Sequence, residues 1–329
     1  MKALIVGAGL SGATAAFILK RKGFNVEIFE ERPHIAGNCF DYPKEKMTIH
    51  QYGPHSFHTN NKKIWDFINQ FGRFKKYCHI VKANTPEGRV PLPFNREAAE
   101  IVGSKTEQEI VDLIFKDYSE KMWGVPWEQL PHAIKNRVPK IKDSYDNCYH
   151  DDLYKGLPVN GYTEIVKAML EGTTVHLNSD KNIWRKYSYD LLVYTGKLDA
   201  YFHSVKGSLG YRSLGIVLEA GARQECFQIN ECNKDKAYTR TVDYSFLNGK
   251  TLNDGSTMLA REYPCEHNGI NTPFYPKNFK EDRVKYKQYA DVARQQKNVL
   301  FLGRLATYKY LDMDAAIGQA LSRTEKING

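Results

Sequence analysis

No stretch of this 329-residue chain approaches the roughly 18 to 20 consecutive apolar residues that a membrane-crossing helix needs, so no spanning segment and no membrane partner is expected. The chain opens directly on a strand-like ALIV, without a charged leader, an apolar core or a cleavage site, and a cytoplasmic protein is expected. Cysteine is sparse. The six residues at 39, 78, 148, 226, 232 and 265 form no CxxC pair, which speaks against a zinc ribbon and a disulfide framework, and they are expected to be reduced thiols. A dense basic run is missing too. The net charge of +9 comes from Lys and Arg interleaved with acids, so nucleic acid is not expected as a partner, and a small anionic substrate accounts for the excess equally well. Internal repeats and low-complexity tracts are absent, and length favours two or three lobes over one core.

What is present is concentrated at the start. KALIVGAGLSGATAAFILKRKGFNVEIFEE reads as strand, glycine turn, helix and second strand within one βαβ unit. Gly7, Gly9 and Gly12 fill GxGxxG: the first permits the tight turn, the second lets backbone approach a pyrophosphate, and the third lets helix pack on strand. Ser11 lies inside the turn, at a helix N-terminus whose N–H groups suit an anion. Glu30 stands 18 positions beyond Gly12, near the roughly 20 expected for an acid that accepts from a ribose hydroxyl. NAD and FAD both use this unit. The following segment ERPHIAGN, with Glu31, Arg32, Gly37 and Asn38, makes another glycine turn. Near the C-terminus, a strand, the pair Gly303–Arg304 and a helix beginning near Met313 return to the same place. A cofactor touched from both ends of the chain favours FAD, whose isoalloxazine projects across a domain boundary.

The expected fold is α/β: a Rossmann-like FAD-binding domain assembled from residues 1–60, 155–205 and 285–329, a small helical domain over 61–150 with a mobile substrate loop at about 132–150, and an antiparallel sheet domain over 206–284. In the last, alternating apolar and polar residues are interrupted by turn breaks such as NG at 248–249 and DG at 254–255, which suggests antiparallel strands. The stretch HQYGPHSFHT admits three readings: a metal site, core or capping histidines, or a cofactor wall. It lacks the Cys or carboxylate partner of a zinc pattern, so no metal is expected.

Eleven blocks in order resemble the UDP-galactopyranose mutase family: GAGLSGA, ERPHIAGN, HQYGPHSFHT, LPFN, YSEKMWG, NRVP, GLPVNGYTE, YTGKLDAYF, LGYRSL, YTRT and GRLATYKYLDMD. The resemblance implies reduced FAD as the active cofactor and interconversion of UDP-galactopyranose and UDP-galactofuranose without net redox change. Flavin N5 attacks the anomeric carbon, UDP leaves, a flavin iminium opens the ring, and the sugar recloses. It implies an external reductant such as NAD(P)H, and suggests galactofuranose for cell-surface polysaccharide.

Residue by residue, Arg137 and Arg240 match the diphosphate-binding arginines, as fixed bidentate cations for a leaving diphosphate. Asn95 (in LPFN), Phe115, Tyr118 and Trp123 match the substrate pocket, the last three beside uridine. Tyr275, Tyr310 and Asp312 match residues around sugar, phosphates and flavin. Tyr149 matches the tyrosine after the mobile arginine, with Cys148 as the neighbouring alternative. His55 and His58 match the pair beside the isoalloxazine, which settles the histidine stretch as a cofactor wall. The helical region between LPFN and YSEKMWG is shorter than the family's and KIK follows NRVP, so the family's dimer does not carry over and a homo-oligomer stays open. Rival readings are a mutase for UDP-N-acetylgalactosamine or a deoxyhexose nucleotide, an amine-oxidase-like flavin oxidoreductase, and a flavoprotein acting only as a binding module.

Overall fold

The computed structural model describes residues 1–136 and 141–328. The apolar run Lys2–Val6 forms the centre of a five-stranded parallel sheet in the order Thr174–His176, Asn25–Phe29, Lys2–Val6, Leu191–Tyr194, Val299–Phe301. Parallel strands buried on both faces require helices to cover them. Leu10–Arg21 packs between Met313–Thr324 and Tyr162–Met169 on one face. Ala13, Ala16 and Leu19 meet Ile317, Ala320 and Ile165 there with essentially no solvent exposure. Strands from positions 2, 25, 174, 191 and 299 thus build one Rossmann-like layer from separated pieces, an α/β fold.

A seven-stranded sheet forms the other half, in the order Tyr275–Pro276, Tyr211–Gly221, Thr257–Glu266, Arg240–Asp243, Gln228–Glu231, Val81–Thr85, Gly88–Leu92. Its pairings are antiparallel except for one parallel seam between Gln228–Glu231 and Val81–Thr85. The two strands from 81 to 92 therefore extend this sheet instead of belonging with the helical pieces. Val81, Ala83, Val90 and Leu92 alternate onto one face and bury against Ile110, Ile114 and Phe115. Lys62–Ile68, also within the span expected to be a helical domain, packs into the Rossmann core through Ile64, Phe67 and Ile68.

The helical pieces that remain among the described residues are Arg96–Val102, Glu107–Ile110, a π-helical stretch Val111–Lys116, Asp117–Trp123, the 3-10 turn Trp127–Gln129, and His132–Lys135, which opens the span expected to be a loop with one helical turn. NG and DG both break the chain as expected, although neither is a two-residue hairpin between strands. Gly249, with φ +73°, ends the short helix Ser245–Asn248 in the left-handed region, and Gly255, with φ +82°, turns the loop before Thr257. No helix among the described residues is long and apolar enough to cross a membrane.

The cysteines correct a second expectation. Cys78 and Cys148, 70 positions apart in sequence, are joined as a disulfide with their Cα atoms 5.3 Å apart. Cys39, Cys226, Cys232 and Cys265 are free, the first three buried. Sequence spacing gave no sign of the pair, because the two residues meet only through an antiparallel bridge between Ile80 and Cys148.

Candidate active site

The glycine turn is built as its spacing requires. Gly7 has φ +100°, and a Cβ on Gly12 would lie 2.0 Å from the Gly7 carbonyl oxygen. A Cβ on Gly37 would lie 2.9 Å from Gly9 Cα, so the second glycine turn presses directly on the first. Glu30 is 5% exposed, and its carboxylate accepts from the N–H of Ala8 at 2.7 Å and of Arg32 at 2.9 Å. Burial raises its pKa, although both amide bonds favour the charge. Arg32 spans Asn38 (Nη2 to Oδ1, 3.0 Å) and the ring of Tyr52, with its guanidinium carbon 4.4 Å from the centroid. Its Nη1 is buried and lacks a hydrogen-bond partner among the described residues. A close glycine cradle at a helix N-terminus, beside an unsatisfied cationic donor, fits a dinucleotide pyrophosphate.

The turn opens into a cavity of about 1680 Å³. Gly7, Gly9, Ser11, Gly12, Glu30, Glu31, Arg32, Gly37 and Asn38 line one end, with Gly303, Arg304, Asp312 and Met313 from the C-terminal segment. Arg304 is fixed there by carbonyls, donating to Leu311 (Nη2, 2.5 Å) and Phe274 (Nη1, 3.1 Å). Its guanidinium faces the stacked rings of Tyr275 and Tyr310, which lie 5.3 Å apart and 9° from parallel. Burial pushes the Tyr275 hydroxyl up to about 12, so it remains a donor at neutral pH.

Arg240 comes from the large sheet and is one-fifth exposed, toward the same cavity. Its Nε donates at 2.6 Å to Glu262, directly opposite on the next strand and 1% exposed. Burial opposes the arginine's charge, but the Glu262 carboxylate outweighs it and holds the pKa above the usual range. Phe115, Tyr118, Trp123 and Tyr149 supply an aromatic wall beside it.

The histidine turn completes the space between. Gly53, with φ +91°, lets the chain reverse against Glu262, and a Cβ there would lie 2.9 Å from Glu262 Oε1. The Gly53 carbonyl meets His55 Nδ1 at 2.8 Å, and the His55 N–H donates to His50 Nδ1 at 3.0 Å. Burial, then the neighbouring His50, pulls His55 down to about 3, so it is a neutral ring at physiological pH. His58 Nδ1 meets Asp152 Oδ2 at 2.8 Å and its ring stacks on His150, 3.6 Å between centroids and 13° from parallel. His58, His150 and Asp152 bring three potential ligand atoms within 4.8 Å. Stacked imidazoles direct their in-plane lone pairs side by side rather than toward one point, however, which is poor geometry for sharing an ion.

Among the described residues singled out from sequence, Asn95 does not join this cavity. Arg137 lies outside the described residues. Asn95 is 1% exposed and is not among the lining residues. Its Oδ1 caps Arg96–Val102 through the Ala98 N–H at 3.0 Å, and its Nδ2 donates to Asn147 Oδ1 at 2.6 Å. The motif LPFN thus holds the segment leading to Tyr149 from behind. Conversely, His79, His150, Gln228, Asn230 and Glu262 line the cavity without having been singled out. Gln228, Asn230 and Glu262 are polar residues at buried positions of strands, a signal that alternation carries. His79 and His150 meet only through the fold.

A family model described as UDP-galactopyranose mutase matches residues 113–310, and one described as an NAD(P)-binding Rossmann-like domain matches residues 5–71. A "Probable UDP-galactopyranose mutase" of Klebsiella pneumoniae is 32% identical, over 98% of this chain and 94% of its own length. A "dTDP-fucopyranose mutase" of Escherichia coli is 30% identical, over 97% of this chain and 96% of its own. Among solved structures, a reduced UDP-galactopyranose mutase superposes with a TM-score of 0.74 at 15% identity, covering 98% of this chain and 94% of that one, a likeness of fold.

Proposed function

The chain belongs to the UDP-galactopyranose mutase family, and from that premise we propose that it interconverts UDP-galactopyranose and UDP-galactofuranose with bound, reduced FAD. The observation that carries the reading is the continuity of one cavity from the glycine cradle, past the histidine turn, to the Arg240–Glu262 pair. A dinucleotide lying along Gly9, Glu30 and Arg32 and a diphosphate held at Arg240 leave the sugar between them, against His55 and the Tyr275–Tyr310 stack. Reduced flavin supplies a nucleophile for the anomeric carbon when it is bound.

The chain's own residues do the remaining work. Arg240, kept charged by Glu262, takes the growing negative charge of departing UDP, and a bidentate guanidinium there strengthens its bonds as the leaving group forms. Tyr275 donates from a ring fixed by stacking. His55, held neutral, offers a hydrogen-bonding edge without adding a full charge beside the cofactor. Trp123, Phe115 and Tyr118 exclude water and give the base a flat surface. Arg137 is proposed as the second diphosphate arginine on family resemblance.

A second reading has one observation in its favour. The E. coli relative, at 30% identity, is named for a dTDP-linked 6-deoxy sugar, so a deoxyhexose nucleotide is the alternative substrate. The experiment is a comparison of kcat/KM for UDP-galactofuranose and dTDP-fucofuranose on photoreduced protein, together with mass identification of the released cofactor. The proposal expects FAD and a preference for the UDP sugar. A preference for the dTDP sugar transfers the assignment, and a cofactor other than FAD contradicts the flavin reading.

A further inference from the structure

The cavity wall that faces the aromatic side includes Tyr149 and His150, on an irregular segment without a strand or helix of its own. Behind these residues the segment is anchored at its start, where Lys142 N–H donates to the Phe94 carbonyl at 2.9 Å and Arg96 N–H to the Ser144 carbonyl at 3.1 Å. At the cavity end Lys142 Nζ donates to the Cys148 carbonyl and Lys155 Nζ to the His150 carbonyl, both at 2.8 Å. The Tyr149 N–H donates to the His79 carbonyl at 2.8 Å, and Cys148 is cross-linked to Cys78. The bond therefore joins the residue before His79 to the residue before Tyr149. Both of those side chains line the cavity, with His79 and His150 rings 5.7 Å apart. Downstream, His150 stacks on His58 and Asp152 holds His58 Nδ1.

We propose that Cys78 and Cys148 form a redox-modified positioning pair, whose disulfide clips Tyr149 and His150 into the wall of the nucleotide-sugar site and whose reduction weakens that site. The proposal rests on the reading of the cavity as a nucleotide-sugar site, and deepens it. Without the cross-link the hydrogen bonds and ring contacts of these residues remain, and what is lost is the covalent tie between the two wall segments. The segment has no helix or strand ladder of its own, and that irregular backbone leaves it open to local loosening. Exchange with a dithiol balances as follows: the S–S bond accepts two electrons and two protons and becomes two thiols, while the dithiol closes to its own disulfide. Neither Cys78 nor Cys148 lines the cavity, so a reduced flavin bound there does not contact the bond. The chemistry of the electron source therefore separates the two redox centres: photoreduction or a nicotinamide leaves the clip in place, and a dithiol opens it.

The test begins with protein lysed in N-ethylmaleimide, denatured, and mapped without reduction. A peptide containing Cys78 linked to Cys148 is expected, with the other four cysteines alkylated. Hydrogen exchange is then followed without ligand, before and after dithiol treatment, and faster exchange around Tyr149 is expected after it. Finally, the UDP dissociation constant is measured on photoreduced protein. It is expected to rise about fivefold or more on dithiol treatment, and equally in the double variant Cys78→Ser/Cys148→Ser, which no longer responds to dithiol. The variant Cys265→Ser behaves as the parent chain. Absence of the linked peptide overturns the proposal, as does unchanged exchange near Tyr149, or UDP affinity within twofold across all forms. No UDP binding in either redox state contradicts the functional reading instead, and leaves the exchange result to decide whether the clip exists.

Discussion

Arg240 and Glu262 face each other across neighbouring strands, with Nε donating to Oε2 at 2.6 Å, so the guanidinium that lines the cavity is held to its neighbouring strand through Nε. Removing one partner of a buried ion pair costs more than the pair contributes, because the other is left uncompensated. Glu262→Ala is expected to lower stability by about 3 kcal/mol in urea unfolding and to reduce kcat/KM by roughly 10- to 100-fold, the loss of one charged hydrogen bond. Wild-type turnover in Glu262→Ala contradicts a positioning role.

Gly53 sits at φ +91° with Glu262 Oε1 2.9 Å from where a Cβ would stand. Gly53→Ala is therefore strained by backbone and by contact. A loss of about 1 to 3 kcal/mol is expected. Thermal unfolding checks it, and an unchanged midpoint shows that the turn relaxes freely.

Asn95 is expected to act as a cap and bracket rather than as a ligand. Asn95→Ala loses about 1 kcal/mol or somewhat more of stability. UDP affinity measured by titration stays within about threefold, as for a residue outside the cavity. A tenfold loss of affinity without loss of stability reinstates it as a substrate contact.

His50 is 4% exposed and burial pulls it down to about 3, so the unfolded chain binds its proton first as pH falls. Stability is complete above the unfolded value near 6.5 and declines between there and about 3. Going from pH 7.5 to 5.5 is expected to remove about 1 kcal/mol through His50 alone. His55, His79 and His150, also shifted downward by burial, add to the loss, discounted because their rings open on the cavity. A urea midpoint that is flat over this range contradicts the neutral-ring assignment. Carboxylates titrate mainly below it.

The dinucleotide unit was legible because its whole logic is local: a buried strand, three glycines and an acid at fixed spacing within thirty residues. The wall residues His55, His58 and Tyr310 were legible only within family blocks, and Tyr275 only as a residue matched between two of them, since nothing near these residues in sequence states what they face. Glu262 was hidden because its meaning comes from a cross-strand partner 22 positions away, although a charge at a buried strand position could have flagged it. His150 and the Cys78–Cys148 pair were out of reach, because a loop without periodicity does not announce where it lands. Asn95 shows the opposite failure. An Asn before a helix with Glu97 in the first turn is a capping signal, and the motif match drew attention away from it. NG at 248–249 marked a break but not its kind, since a left-handed glycine ends helices as readily as it turns hairpins.

The most direct measurement is conversion of UDP-galactofuranose by the purified protein, followed by chromatography with the flavin reduced photochemically and with it oxidised. Formation of UDP-galactopyranose by the reduced protein, its absence in the oxidised protein, and its loss in Arg240→Ala are the predicted results. Conversion that is indifferent to flavin redox state, or undiminished in Arg240→Ala, contradicts the account.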